Sequence, residues 1–230
     1  MSSIITRRRF IVSAAAASLL AGCESHPIKS FLGAMKDWNE KFEGLVFSPS
    51  RLAPELPASA TTPESAFPSY FISDTMPTAP PNWTLSVGGM VERELVLTLD
   101  QLLKLPRTDL RVRHHCVEGW SAVASWNGVR VSEIARLAGL KPGVKYVEFN
   151  SFDNEYFSSW DLGSALHPQT LLAYGMNGHL LGANHGAPLR VYSAVKLGYK
   201  MCKYIDEINF LPNKTGGYWE DQGYDWFGGV

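Results

Sequence analysis

The 230-residue chain has only three cysteines, no basic run beyond residue 10, no apolar run long enough to span a bilayer, and neither a repeat nor a heptad pattern. Each lack excludes something. With 21 basic against 22 acidic residues there is no electrostatic footprint for gripping nucleic acid, so nucleic acid is excluded as a partner. The longest apolar stretch, Ile11 to Ala21, is about half of the roughly 20 residues a permanent membrane helix requires. The absence of any sustained period leaves a mixed, strand-rich α+β domain with short helices. At 45% hydrophobic residues the chain can build one well-packed core and a small appendage.

What is there begins with an export signal over residues 1–23. Arg7, Arg8 and Arg9 precede Phe10 and the apolar run, which resembles a twin-arginine signal, the route taken by proteins that fold around a cofactor before export. Leu20-Ala21-Gly22-Cys23 resembles a bacterial lipobox, in which Cys23 would be lipidated and become the new N-terminus. The expected location is therefore the periplasm or the outer face of the cytoplasmic membrane, with a lipid anchor at Cys23. Removing residues 1–22 takes away three arginines and no acid, leaving 18 basic against 22 acidic residues, a net charge of −4. Cys116 and Cys202 then remain in an oxidising compartment, either as a disulfide or as two thiols kept apart for a reason.

Residues 24–81 are punctuated by prolines and read as a tether and an extended arm, with one short amphipathic stretch near Phe31 to Phe42. The catalytic body is expected over 82–212, followed by an aromatic, acidic tail at 213–230. Within the body, 83–87, 95–97, 110–116, 145–152, 189–192 and 204–210 read as strands. Thr98 caps a short helix, Ser132 caps another that runs to Ala138, and Gly139 stops it. Asn127-Gly128 and Asn177-Gly178 read as hairpin turns.

The segment richest in chemistry is Arg113-His114-His115-Cys116-Val117-Glu118-Gly119-Trp120-Ser121. Three readings fit it. Cys116 could be a buried core cysteine. It could join a zinc or copper site, although neighbours on a strand point to opposite faces, so at most two of His114, His115 and Cys116 could reach one metal. Or it could be a single soft thiolate beside a metal cofactor that brings its other ligands with it.

The run Cys116-Val117-Glu118-Gly119-Trp120-Ser121 resembles the molybdenum-binding segment of sulfite-oxidase-fold, molybdopterin-dependent oxidoreductases, most of all the catalytic subunits of periplasmic protein-methionine-sulfoxide reductases. The similarity continues in order through Trp126-Asn127-Gly128-Val129, Lys145 to Phe149, Ala165 to Leu171, Asn177-Gly178, His185 to Arg190 and Lys196 to Lys203, covering about residues 70–212. The resemblance implies the sulfite-oxidase fold and one mononuclear molybdenum held by molybdopterin, with two-electron oxygen-atom transfer as its chemistry. Cys116 is then the protein's metal ligand, and His114 and Arg113 beside it are catalytic candidates. Tyr70, Phe71, Ser151, His185, Arg190, Met201, Cys202 and Lys203 would line the pterin and its phosphate. Arg190 and Lys203 suit a phosphate because charged donors bind it most strongly.

Two positions depart from the family pattern: His185 stands where the reductases have asparagine, and Cys202 lies in the phosphate segment. A disulfide between Cys202 and Cys116 would abolish the metal site and is expected to be absent. The expected substrate is a small-molecule or protein-bound S-oxide or N-oxide. Electrons would come from a separate partner, such as a membrane cytochrome or a quinone-linked subunit. Oxidation of sulfite is the alternative, with Arg111, Arg113 and His114 as its cationic pocket. A non-enzymatic envelope lipoprotein of the same fold, stapled by Cys116–Cys202, is the alternative from another class. Trp120 and Trp126 are expected to pack around the site; Asp153 and Tyr156 could approach it, but loop residues of those types are usually just solvated.

Overall fold

Two five-stranded sheets carry the body, and their strand order explains where the site lies. In this computed structural model residues 26–153 and 156–230 are described, so the signal reading at 1–23 and Cys23 fall outside them. The chain divides after Val46. The first unit contributes helix α1 (His26–Val46), 21 residues where a short amphipathic stretch was expected. On it Trp38 and Phe42 stack with ring centroids 5.5 Å apart, as neighbours four apart on a helix can. No described helix is long and apolar enough to cross a membrane.

In the second unit, Phe47–Val230, the first sheet runs β2 (Leu95–Leu97), β1 (Leu85–Gly89), β10 (Ile205–Leu211), β5 (Tyr146–Ser151), β6 (Phe157–Asp161). β1 pairs with β10 in parallel, Ser86 opposite Glu207, while the other ladders are antiparallel. The second sheet runs β3 (Arg107–His115), β4 (Ser121–Arg130), β7 (Thr170–Met176), β8 (His179–Leu180), and β9 (Arg190–Ser193) also pairs with β7. Every residue of β7 is buried, as expected for a strand covered on both faces. Short helices α2 (Leu99–Leu103), α3 (Val131–Ala138) and α4 (Leu162–Ala165) cover the sheets. This is the strand-rich α+β architecture read from the sequence.

Local signals were right where the chemistry is local. Thr98 accepts from the Gln101 amide while the Gln101 side chain accepts from the Thr98 amide, a complete capping box. Asn177 and Gly178 both have positive φ, 51° and 89°, as the β7–β8 turn requires. Two signals misled. Ser132 caps nothing: α3 starts at Val131 after Arg130, without a side-chain cap. Asn127-Gly128 is no turn but the interior of β4, at a bulge against β7. A Cβ on Gly128 would lie 2.1 Å from the Leu172 carbonyl oxygen, so glycine is there for close approach of two strands. The β3–β4 hairpin turns instead at 116–120, where Gly119 sits at φ +90° and the Cys116 amide donates to the Trp120 carbonyl at 3.0 Å.

Residues 47–81 hold to the body by specific bonds. The Leu56 amide donates to the Arg111 carbonyl at 2.8 Å and the Thr62 amide to the Val123 carbonyl at 2.9 Å. Gln169 bonds both backbone groups of Ala53, and Phe67 is buried. The C-terminal tail is held as firmly: Trp226 and Phe227 are buried, and Glu220 lies within the protein against Lys200.

Candidate active site

The β3–β4 turn places Cys116 at the wall of a cavity of about 280 Å³. The walls come from five regions distant in sequence: the arm (67–72), the turn (114–120), Asp153 with Tyr156, the segment 185–204, and the tail through Trp219 and Tyr224. Cys116 is a free, half-buried thiol, 3.7 Å from Glu118 Oε2, which also accepts from Trp120 Nε1 at 3.0 Å. Burial, followed by the neighbouring carboxylate's field, pushes this thiol's pKa up, so binding a metal there must release the proton.

Opposite side chains form a buried cationic corner. Arg190 donates to the carbonyls of His185 (3.1 Å) and Met201 (3.4 Å). Lys203 donates to the carbonyls of Asn184 (2.8 Å) and Tyr70. Burial lowers Arg190 to about 10 and, with help from Arg190, lowers Lys203 to about 7. Among the described residues neither cation has a carboxylate partner. Two imidazoles share the corner. Burial and then Arg190 lower His114 to about 3 and His185 to about 4, so both are neutral at physiological pH. Among the described residues, His114 Nδ1, His185 Nε2 and Arg190 Nε are buried without a hydrogen-bond partner. Buried polar atoms ordinarily find partners; paired cations without a carboxylate, ringed by unspent donors, fit a phosphate-bearing cofactor.

The corner is held by aromatic packing. Phe67 lies 5.6 Å from both the His114 and His185 rings and 6.0 Å from Trp126, and Trp126 stacks on Tyr192 at 4.2 Å beneath the Arg190 guanidinium. A Cβ on Gly198 would come within 2.7 Å of His114 Nε2, so only glycine lets that loop approach the imidazole.

The structure brings Tyr70, Phe71, His114, Cys116, His185, Arg190, Met201 and Lys203 to one cavity. Three expected residues stand elsewhere. Arg113 is exposed and donates to Ser121 Oγ at 3.1 Å; in β3 the even positions 110, 112 and 114 are buried, so Arg113 and Arg111 face away from His114. That alternation dissolves the cationic pocket suggested for sulfite and corrects Arg113 as a catalytic candidate. Ser151 lies behind the wall, donating to Asp153 Oδ1 at 2.6 Å. Cys202 is fully buried, its thiol pushed well up by burial. It is a free thiol like Cys116, so the scaffold stapled by a Cys116–Cys202 disulfide is not the arrangement found. Asp153 and Tyr156 do reach the cavity. Phe67, Glu118 and Tyr199 join the site without a sequence signal of their own, and Trp219 and Tyr224 come from the aromatic tail, which could equally have wrapped loosely on the body; tertiary contacts bring all five to the cavity.

The family model for the oxidoreductase molybdopterin-binding domain matches residues 73–219. YedZ1 of Azospira oryzae, named as a protein-methionine-sulfoxide reductase subunit, is 41% identical over 216 residues, which are 92% of this chain and 82% of that protein. The protein-methionine-sulfoxide reductase catalytic subunit MsrP of Xanthomonas axonopodis pv. citri is 36% identical over 60% of this chain and 48% of its own length. This chain spans about half the length of the MsrP relatives it matches. The crystal structure of the sulfane dehydrogenase SoxCD from Paracoccus pantotrophus superposes with a TM-score of 0.56 at 21% identity, covering 60% of this chain and 40% of that one.

Proposed function

Because the chain belongs to the oxidoreductase molybdopterin-binding domain family, we propose that it reduces an organic S-oxide to the thioether at a mononuclear molybdenum–molybdopterin centre bound through Cys116. The protein is a molybdopterin-dependent oxidoreductase of the sulfite-oxidase fold. Two electrons and two protons convert R2SO to R2S and water. The cofactor, when bound, would supply two-electron oxygen-atom-transfer chemistry. The chain's own residues supply the rest. The Cys116 thiolate would hold the metal. Arg190 and Lys203 would grip the phosphate, which would restore Lys203 to its charged form. His114 and His185, held neutral by burial, can each donate one N–H and accept at the other nitrogen. Phe67 and Trp120 keep bulk water from the thiol's side of the cavity.

The observation that carries this reading is that one cavity joins a free thiol at a tight turn to a buried pair of cations without carboxylate partners. The names of the relatives, reductase subunit and reductase catalytic subunit, support the S-oxide and a separate partner that delivers electrons. A membrane cytochrome or quinone-linked subunit suits that part. The paired arginines and the Leu20–Cys23 run support export by the twin-arginine route and a lipid anchor within reach of such a partner. The test is turnover by the molybdenum-loaded protein with reduced viologen as electron donor. Viologen oxidation that depends on methionine sulfoxide is expected; turnover of sulfite alone would sink the reading.

A further inference from the structure

The mouth of the cavity is aromatic, and the tail supplies two of its four rings. Trp219 lies 6.3 Å from Tyr70 of the arm and 5.1 Å from Tyr224. Tyr224 in turn lies 5.2 Å from Tyr199. All four rings line the cavity that holds Cys116, yet Tyr70 keeps 66% and Tyr224 36% of its surface in solvent. Rings left this open contribute energy only when a ligand covers them. The tail is no loose end. The Tyr218 amide donates to the Phe157 carbonyl at 2.9 Å. Glu220 is buried against the Lys200 ammonium and accepts from Ser158 Oγ at 2.7 Å. Trp226 Nε1 donates to Ser159 Oγ at 2.8 Å.

Carboxylates flank this mouth, while the cations Arg190 and Lys203 line the corner behind it. In residues 218–227, which hold no lysine or arginine, Glu220 is paired with Lys200 and Asp221 and Asp225 remain, and Glu118 and Asp153 line the cavity. An anionic substrate would meet like charge on the way in. A neutral S-oxide meets ring faces whose negative quadrupole suits the positive sulfur end of the S–O dipole, and sulfur–aromatic contacts are worth about 0.3–1.5 kcal/mol each.

Resting on the S-oxide reading above, we propose that the segment 218–227 is a fixed specificity wall. Tyr70, Trp219 and Tyr224 select uncharged S-oxides bearing a large apolar or aromatic substituent over small or anionic ones.

The test compares methyl phenyl sulfoxide with dimethyl sulfoxide as substrates of the molybdenum-loaded protein, using Trp219→Ala, Trp219→Phe and Tyr224→Leu. Molybdenum content and circular dichroism establish that each variant is folded and loaded. In Trp219→Ala the ratio of kcat/KM for the aryl over the dimethyl substrate falls about tenfold, mainly through KM, and recovers in Trp219→Phe. Methyl phenyl sulfone, which is not reduced, quenches tryptophan fluorescence in wild type and does so less in Trp219→Phe. An unchanged ratio in both Trp219→Ala and Tyr224→Leu, with sulfoxides still turned over, overturns the wall and leaves the reductase reading intact. If wild type turns over neither sulfoxide, the reading fails and the wall fails with it. Should Trp219→Ala not load, the ratio in Tyr224→Leu decides.

Discussion

Burial, with the Arg190 guanidinium second, lowers His185 to about 4, against about 6.5 in an unfolded chain. The unfolded state therefore takes up the extra proton between those values. The stability is complete above about pH 6.5 and is lost as pH falls through 6.5 toward 4. Urea midpoints of the cofactor-free protein are expected to fall over that window, and His185→Gln, which cannot titrate, to lessen the fall; matching slopes would refute the assignment. Lys203 works at the other end. Its folded value of about 7 lies below the unfolded one near 10.4, so the unfolded chain holds more protons between them and stability rises with pH across that span. Lys203→Met should flatten this rise in the same titration. At this scale motif resemblance pointed to Cys116, His185, Arg190 and Lys203, which the structure brings to one cavity. It misplaced Arg113, because neighbours in a strand are neighbours in sequence but occupy opposite faces.

Elements whose signals are local were legible: the Thr98 capping box, the Asn177-Gly178 turn and the Gly139 stop with φ +71°. Elements shaped by partners were not. Gly128 carries a turn signal, but its reason is the Leu172 carbonyl on a strand over forty residues away. Gly128→Ala should cost roughly 1–3 kcal/mol by overpacking, read as a lower urea midpoint; no loss would mean that β4 and β7 separate freely. The tail, aromatic without period, gave no hint that Glu220 would be buried against Lys200. Removing one partner of a buried ion pair strands the other, at about 3–5 kcal/mol. Glu220→Ala should therefore expose the 218–227 segment to limited proteolysis before the sheets are cut. Equal resistance of the two proteins to the protease would contradict this latch.

For the molecule as a whole, α+β with short helices was legible because alternation and turn residues mark most strands. The division into two sheets, and the 21-residue α1, were not, since pairing between distant strands leaves no local trace. The site is likewise a property of the whole: the cavity exists only where arm, hairpin, loop and tail converge. Cys116→Ala tests the centre without touching the core, because the side chain sits at a half-buried turn. Molybdenum should drop from about one per chain to near none with the far-ultraviolet spectrum unchanged, as loss of the proposed thiolate ligand implies. Retained metal would move the anchor away from this turn.

The parallel pairing of Ser86 with Glu207 also sets a schedule. A chain leaves the ribosome N-terminus first, and long-range pairings close last because the loop they join must first be made and ordered. The first sheet cannot be completed until β10 emerges, and Trp219 and Tyr224 emerge later still. A nascent chain that has not yet exposed residues 199–224 cannot enclose the pocket, because Tyr199, Trp219 and Tyr224 form part of its wall.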